Sequence, residues 1–296
     1  MDYKIAGHRI RIEGENLVKA VDALPGFDVF RVETEDAPVC RMIESAAPEG
    51  LREMKDDYSK IPGLDKMLYE SGNEIAESCF ATRKDGGYIF ASFSTIEDKA
   101  LLLEISENGI HTRISGDYAD YLLKFGCWMA YSLAVLPYKT VAFHASTLIY
   151  DNHAVLFLGE SGTGKSTHTR LWREHIEGAT LLNDDSPILR VEDGKVLAYG
   201  SPWSGKMHCY IKAAYPVKAF VRLSQAPHNE IRRLGVVQAF TALHPSCPPP
   251  FAYQERLYDY VSEFLSDVLE ETPVYHLECL PDADAAMLSC KTLFGK

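Results

Sequence analysis

A chain of 296 residues with 46% hydrophobic and 24% charged content has the make-up of a soluble globular protein, large enough for one big domain or two ordinary ones. Its 30 basic and 42 acidic residues leave a formal net charge of -12 with no Lys/Arg block to offset it, so nucleic acid is not expected as a partner. No apolar run reaches membrane-spanning length, "MDYKIAGHRIRIEG" lacks the apolar centre of a secretory leader, and seven cysteines without a C-x-x-C pair point to a reducing cytoplasm rather than a disulfide framework or zinc site.

In chain order, the first hundred or so residues predict strands and turns. "KIAGHRIRIEG", "FDVFRVET", "GYIFASFS" and "LLLEIS" lie between Gly, Pro, Asn and Asp punctuation and read as half-buried strands. "LREMKDDYSKIPGLDKMLYESG" is polar, partly helical and peripheral. A helix is expected after Gly116, with Asp117 capping "YADYLLKFGCWMAYSLAVL" and Pro137 ending it. A strand pair follows, "TVAFHASTLIY" and "AVLFLGE", joined by the turn "DNH". Next come the helix "STHTRLWREHI", the strand "GATLLNDD", a hairpin through Glu192-Asp193-Gly194 and the strand "PVKAFVRLSQ". The last stretch reads helix, strand "VYHLEC", helix. The expected class is α/β (α+β overall), with a mostly β module of unassigned role over 1–116 and a P-loop nucleotide-binding module over 117–296.

The segment "GESGTGKST" matches G-x-x-x-x-G-K-[ST] at every fixed position, between a strand and a helix as a phosphate loop requires. Backbone N–H groups across Gly159, Glu160, Ser161, Gly162, Thr163 and Gly164 would face phosphate oxygens, and the helix N-terminus adds its partial positive charge. Lys165 would reach the β- and γ-phosphates, the Ser166 hydroxyl would take one Mg²⁺ position, and Thr167 would cap the helix or touch the α-phosphate. The Glu160 side chain points outward on this reading.

A GTPase would carry N-K-x-D and a transporter ATPase a second Gly-rich signature, and neither occurs. Instead Asp184-Asp185 follows Lys165 by about twenty residues, the length of one helix and one strand. Adjacent carboxylates there suit phosphoryl transfer, one holding Mg²⁺ and the other accepting the proton of an attacking hydroxyl. A solvated acidic turn is the alternative.

His144 in "FHASTLIYDNHAVLFLGESGTGKST", followed by "LLNDD", resembles the core of the HPr kinase/phosphorylase catalytic domain, whose P-loop fold is shared with phosphoenolpyruvate carboxykinases. The resemblance spans about residues 140 to 225. It implies an ATP- and Mg²⁺-dependent kinase acting on a hydroxyl of a peptide, small protein or metabolite, with Asp184 as catalytic base, Asp185 on the metal and His144 near the transferred phosphate. The family's HPr-specific loop after the acidic pair is not recognisable. In its place stands "YGSPWSGK", which resembles a form seen in a bacterial branch of HPr-kinase-like proteins.

In that segment Trp203 offers a flat face, and Ser204, Gly205 and Lys206 form a candidate active-site loop; a hairpin end with a buried Trp is the other reading. His168 and His175 read as packing or surface. Arg222, Arg232 and Arg233 offer charge for phosphoryl transfer, but "NEIRRLG" also reads as a solvated helix start, and none is selected. A carboxykinase-like reaction and a nucleotide-binding sensor without turnover are the competing functions, and assembly into a homo-oligomer is left open.

Overall fold

The computed structural model describes residues 1–205 and 207–295. It is α/β with two mixed sheets, and its two compact units are residues 1–137 with 252–257, and residues 138–251 with 258–296. The expected division near residue 116 falls inside the first of these.

The first unit contains β1 (Asp2–Ile5), β2 (His8–Glu13), α1 (Glu15–Ala23), β3 (Arg31–Val32), β4 (Cys40–Glu44), β5 (Leu64–Gly72), β6 (Ala76–Arg83), β7 (Tyr88–Ser94), β8 (Ala100–Ile105), β9 (His111–Asp117) and α2 (Asp120–Val135). The strands form one sheet in the order β3-β1-β2-β4-β9-β8-β7-β6-β5. "KIAGHRIRIEG" is a hairpin rather than one strand, because Ala6 and Gly7 take positive φ. Within "FDVFRVET" Asp28–Phe30 make a 3-10 turn, and the strand is limited to Arg31–Val32. The peripheral polar stretch makes two 3-10 turns and then the edge strand β5.

β7 is buried along its whole length rather than on one face. Helix α2 packs on one side of β7 and β8. Leu51, Met54 and Ile61 of the 3-10 turns cover Ile89, Ala91 and Phe93 on the other. A strand covered on both faces reads as a continuous apolar run. Asp117 does not cap α2. It ends β9 and accepts hydrogen bonds from Lys99 and Arg52, while Ala119 precedes the helix.

The second unit contains β10 (Thr140–Ala142), β11 (Ala145–Tyr150), β12 (His153–Leu158), α3 (Lys165–His175), β13 (Thr180–Asp185), β14 (Ile188–Glu192), β15 (Lys195–Tyr199), β16 (Ala214–Gln225), β17 (Glu230–Arg233), α4 (Val236–Leu243), α5 (Glu255–Glu271, its first turn counted with the first unit), β18 (Val274–Cys279) and α6 (Ala283–Phe294). The sheet order is β10-β14-β15-β16-β12-β11-β13, with β18 on β16 and β17 on β18. The start of β16 pairs antiparallel with β15, and its later part runs parallel to β12 on one side and β18 on the other. "NEIRRLG" is therefore strand, not helix start, since β17 completes a hairpin edge against β18.

One face of this sheet carries Phe157, Val221, Leu223 and Leu277, on which α3 and α6 pack through Trp172, Leu171, Cys290 and Leu293. Trp172 is fully buried, edge-on to Phe157 and Phe294. Among the described residues no helix is long and apolar enough to cross a membrane.

Candidate functional site

The site grows from the C-terminal end of β12. The chain leaves Leu158 into a loop whose glycines Gly159, Gly162 and Gly164 all have positive φ, then enters α3 at Lys165. At Gly159 a Cβ would lie 2.5 Å from Thr163 Oγ1, so the loop closes on itself only with glycine there. Thr163 donates to the Glu160 carbonyl at 2.8 Å, and Gln225 Nε2 of β16 donates to the Gly162 carbonyl at 3.2 Å. The Glu160 side chain is exposed, and so is Ser161.

Lys165 Nζ donates to the Gly159 and Glu160 carbonyls at 2.6 and 3.2 Å. Partial burial pulls its pKa below the usual lysine value, with Asp185 and Asp184 opposing that shift. Two carbonyls are a weak substitute for an anion beside such an ammonium.

The two acids divide by strand alternation. Asp184 is buried and turns toward α3, where its carboxylate accepts from Ser166 Oγ at 3.1 Å and Ser146 Oγ at 2.7 Å. Asp185 turns to the opposite face and is 47% exposed, with Oδ1 3.3 Å from His144 Nδ1. His144 is itself 49% exposed, so it is not a packed core histidine. It sits in the break between β10 and β11, where the expected single strand "TVAFHASTLIY" parts: β10 pairs with β14, and β11 with β12 and β13. The sequence-selected residues Lys165, Ser166, Asp184, Asp185 and His144 thus converge at one sheet edge.

Compared with known proteins, the chain matches no protein-family model and no curated protein. Among solved structures it is similar to the Hpr(Ser) kinase/phosphatase from Coxiella burnetii, at 16% identity and a TM-score of 0.30 over 52% of this chain and 92% of that one. A likeness that loose carries no functional argument, so function rests on the site's own geometry.

Two site residues escaped the sequence reading. Ser146, two residues after His144, orients Asp184; the alternation of "HAST" along a strand was its one visible sign. Asn183 is fully buried and anchors the acidic pair: its Oδ1 accepts from the Asp185 and Ser186 amides at 3.1 and 2.8 Å. Its Nδ2 donates to Ser201 Oγ and to the Trp203 carbonyl, both at 3.2 Å. Asn183→Ala is expected to leave those amides without an acceptor and to destabilise the protein by about 2 kcal/mol or more in urea unfolding.

Asn183 also fixes the loop "SPWSG". Trp203 is buried and offers no open face to a ligand. Gly205 N donates to the Asp184 carbonyl at 3.0 Å, and Ser204 bridges to Asp185 as an antiparallel pair. A Cβ at Gly205 would stand 2.7 Å from the Asp184 carbonyl oxygen, so the approach requires glycine. The loop buttresses the acidic pair from behind. Lys206 lies outside the described residues.

Beside the phosphate loop, on the α3 side, a cavity of about 510 Å³ is bounded by Thr167, Leu171, Leu223, Gln225, Cys279 and Pro281. That volume falls within the range of small-molecule sites, about 300–1,000 Å³. His168 borders it but is buried, held by Ser289 Oγ at 3.2 Å and by the Trp172 indole N–H, which donates to its Nε2 at 3.2 Å. Burial drives its pKa from 6.5 to about 4. The folded value lies below the unfolded one, so protonation favours the unfolded chain. His168 is expected to leave stability intact above pH 6.5 and to remove it progressively as pH falls toward 4, by about 3 kcal/mol in all. Urea unfolding from pH 7 to 4 checks this, and His168→Gln should flatten that part of the profile.

Proposed function

We propose that the chain is an ATP- and Mg²⁺-dependent phosphotransferase that delivers the γ-phosphoryl group to a hydroxyl, as the resemblance to HPr kinase/phosphorylase implies. The observation that carries this reading is the Ser166–Asp184 hydrogen bond at the root of a complete phosphate loop, with Asp185 and His144 beside it on the opposite face. The donor set fits Mg²⁺: a hydroxyl and a carboxylate, both hard oxygen ligands. Ser166 and Asp184 would hold the ion, which would supply charge neutralisation for the phosphates.

The chain's own groups then have distinct tasks. The amides of Gly159 to Gly164 and the α3 N-terminus hold the phosphates. Lys165 leaves its loop carbonyls for the β- and γ-phosphates, and the nucleoside occupies the cavity lined by Leu171, Leu223 and Cys279. The alternation of β13 favours an exchange of the two acid roles expected from sequence. Asp184, already on Ser166, belongs with the metal, and Asp185, exposed and paired with His144, is placed to take the acceptor's proton. A cytoplasmic setting is part of this proposal and rests on the cysteine pattern.

Calorimetric titration of ATP with and without Mg²⁺ tests the binding half. Mg²⁺ is expected to enhance binding, and Ser166→Ala to weaken that enhancement. ATP binding indifferent to both Mg²⁺ and Ser166 would remove the basis of the proposal.

A further inference from the structure

On the sheet face opposite α3, three cationic or ionisable side chains stand directly across from one another on adjacent strands. Arg222 of β16 pairs with His276 of β18, and His276 pairs with Arg232 of β17. Directly opposed residues share a face with their Cβ atoms about 5 Å apart, and like charges so placed repel. The row also meets the phosphate loop, because Arg222 pairs with Leu158, the last residue before Gly159. Asp185 projects to this same face, since Asp184, Ser146, Phe157 and Val221 form the row beneath α3.

Among the described residues no carboxylate forms a salt bridge with Arg222 or Arg232, and the nearest acids lie one row away. Among the described residues the Arg222 guanidinium makes no hydrogen bond or ion pair, and the Arg232 guanidinium has one contact, to Gln238 Oε1 at 3.4 Å. Glu278 and Glu230 occupy the next row out and face each other there. His276 Nε2 lies 2.9 Å from Ser224 Oγ. Arg222 and Arg232 flank an imidazole whose charge they disfavour, and an anion between them is the ligand that would engage both guanidiniums and the ring together.

We infer that Arg222, His276 and Arg232 form a subsite for an anionic group, carboxylate or phosphate, carried by the phosphoryl acceptor, so that the substrate is an acidic hydroxyl compound. This rests on the phosphotransferase reading and extends it. Arg222 and Asp185 are three strand spacings apart, about 14 Å between backbones, and this sets the scale over which the acceptor separates its reacting hydroxyl from its anion. The nucleoside cavity lies on the α3 side, so the two substrates approach the phosphate loop from opposite faces.

The groups facing His276 are Arg222 and Ser224 on β16, Arg232 and Glu230 on β17, and Glu278 on its own strand; α4 brings no ionisable side chain. Burial and the two arginines hold its pKa below the ordinary value, with Glu278 opposing. An anion arriving between the arginines would reverse the larger electrostatic influence, so binding should draw a proton onto the imidazole.

The test uses inorganic phosphate, titrated into the full chain saturated with Mg²⁺ and a non-hydrolysable ATP analogue so that the phosphate loop is filled. Calorimetry and the His276 ring-proton resonances are followed. The expected result is phosphate binding with proton uptake at His276. Arg222→Gln and Arg232→Gln should each weaken it about tenfold or more while analogue affinity stays within about twofold. Carboxylate and phosphate acceptors are distinguished by repeating the titration with acetate. Phosphate binding unchanged in both variants, or absent from the loaded wild-type chain, would overturn the inference. So would a loss confined to analogue affinity, which would assign Arg222 to the nucleotide. If the analogue fails to bind at all, the phosphotransferase reading falls, and the same titration on Lys165→Ala still decides the subsite.

Discussion

Lys165→Ala is expected to abolish useful nucleotide chemistry, lowering phosphoryl transfer at least about 10²–10³-fold. Among the described residues the half-buried ammonium is held by the Gly159 and Glu160 carbonyls, and burial already disfavours its charge. A phosphate chain would offer it full negative charge in a site of reduced polarity, where such contacts are strongest. The fold should survive, because the lost contacts lie within one loop. Urea unfolding should therefore shift by less than about 1 kcal/mol, while calorimetric ATP affinity collapses. A variant that unfolded and lost affinity together would assign the lysine a structural part instead.

The second large effect separates the two acids. Asp184→Asn should weaken the Mg²⁺ enhancement of ATP binding about tenfold or more, because it removes the charge that Ser166 and Ser146 now orient. Asp185→Asn should leave Mg²⁺-dependent ATP binding within about twofold and cut transfer by about 10²–10⁴-fold, the usual span for loss of a positioned base. The two variants thus differ in which measurement moves, binding or turnover. The reverse pattern would restore the roles that the resemblance alone assigned. Equal losses in both measurements would mean that the acids act as one metal-binding unit.

Much of this site was legible because it is local in sequence. Gly159 to Thr167 carry their loop in a fixed spacing, and the hydrophobic pattern of β12 and α3 on either side sets the geometry. Asp184 and Asp185 stood out as a charged pair ending an apolar strand. Which acid faces which way was not legible, since it depends on the register of β13 against β11. The break at Phe143–His144 was hidden too. The segment "TVAFHASTLIY" holds no Gly or Pro to signal that its first part joins β14 and its second β12.

Other roles were hidden for a related reason. Asn183 looks like any polar residue until Ser201 and Trp203 fold back over it. Arg222, Arg232 and His276 come from segments far apart in the chain, and only strand pairing lines them up. Asp117 had the right residue type for a cap, but its carboxylate is engaged by Lys99 and Arg52 across the sheet. Long-range pairing outcompeted the local signal there.

Phosphoryl transfer can be followed with γ-labelled ATP. The wild-type chain would be incubated with Mg²⁺, the labelled nucleotide and a panel of acidic hydroxyl compounds, and the fate of the label followed by mass. Label is expected on one class of acceptor, reduced by at least about 10²-fold in Asp185→Asn while ATP remains bound. Tight Mg²⁺-dependent ATP binding with no label leaving the nucleotide, to acceptor or water, would contradict it and make the chain a nucleotide sensor.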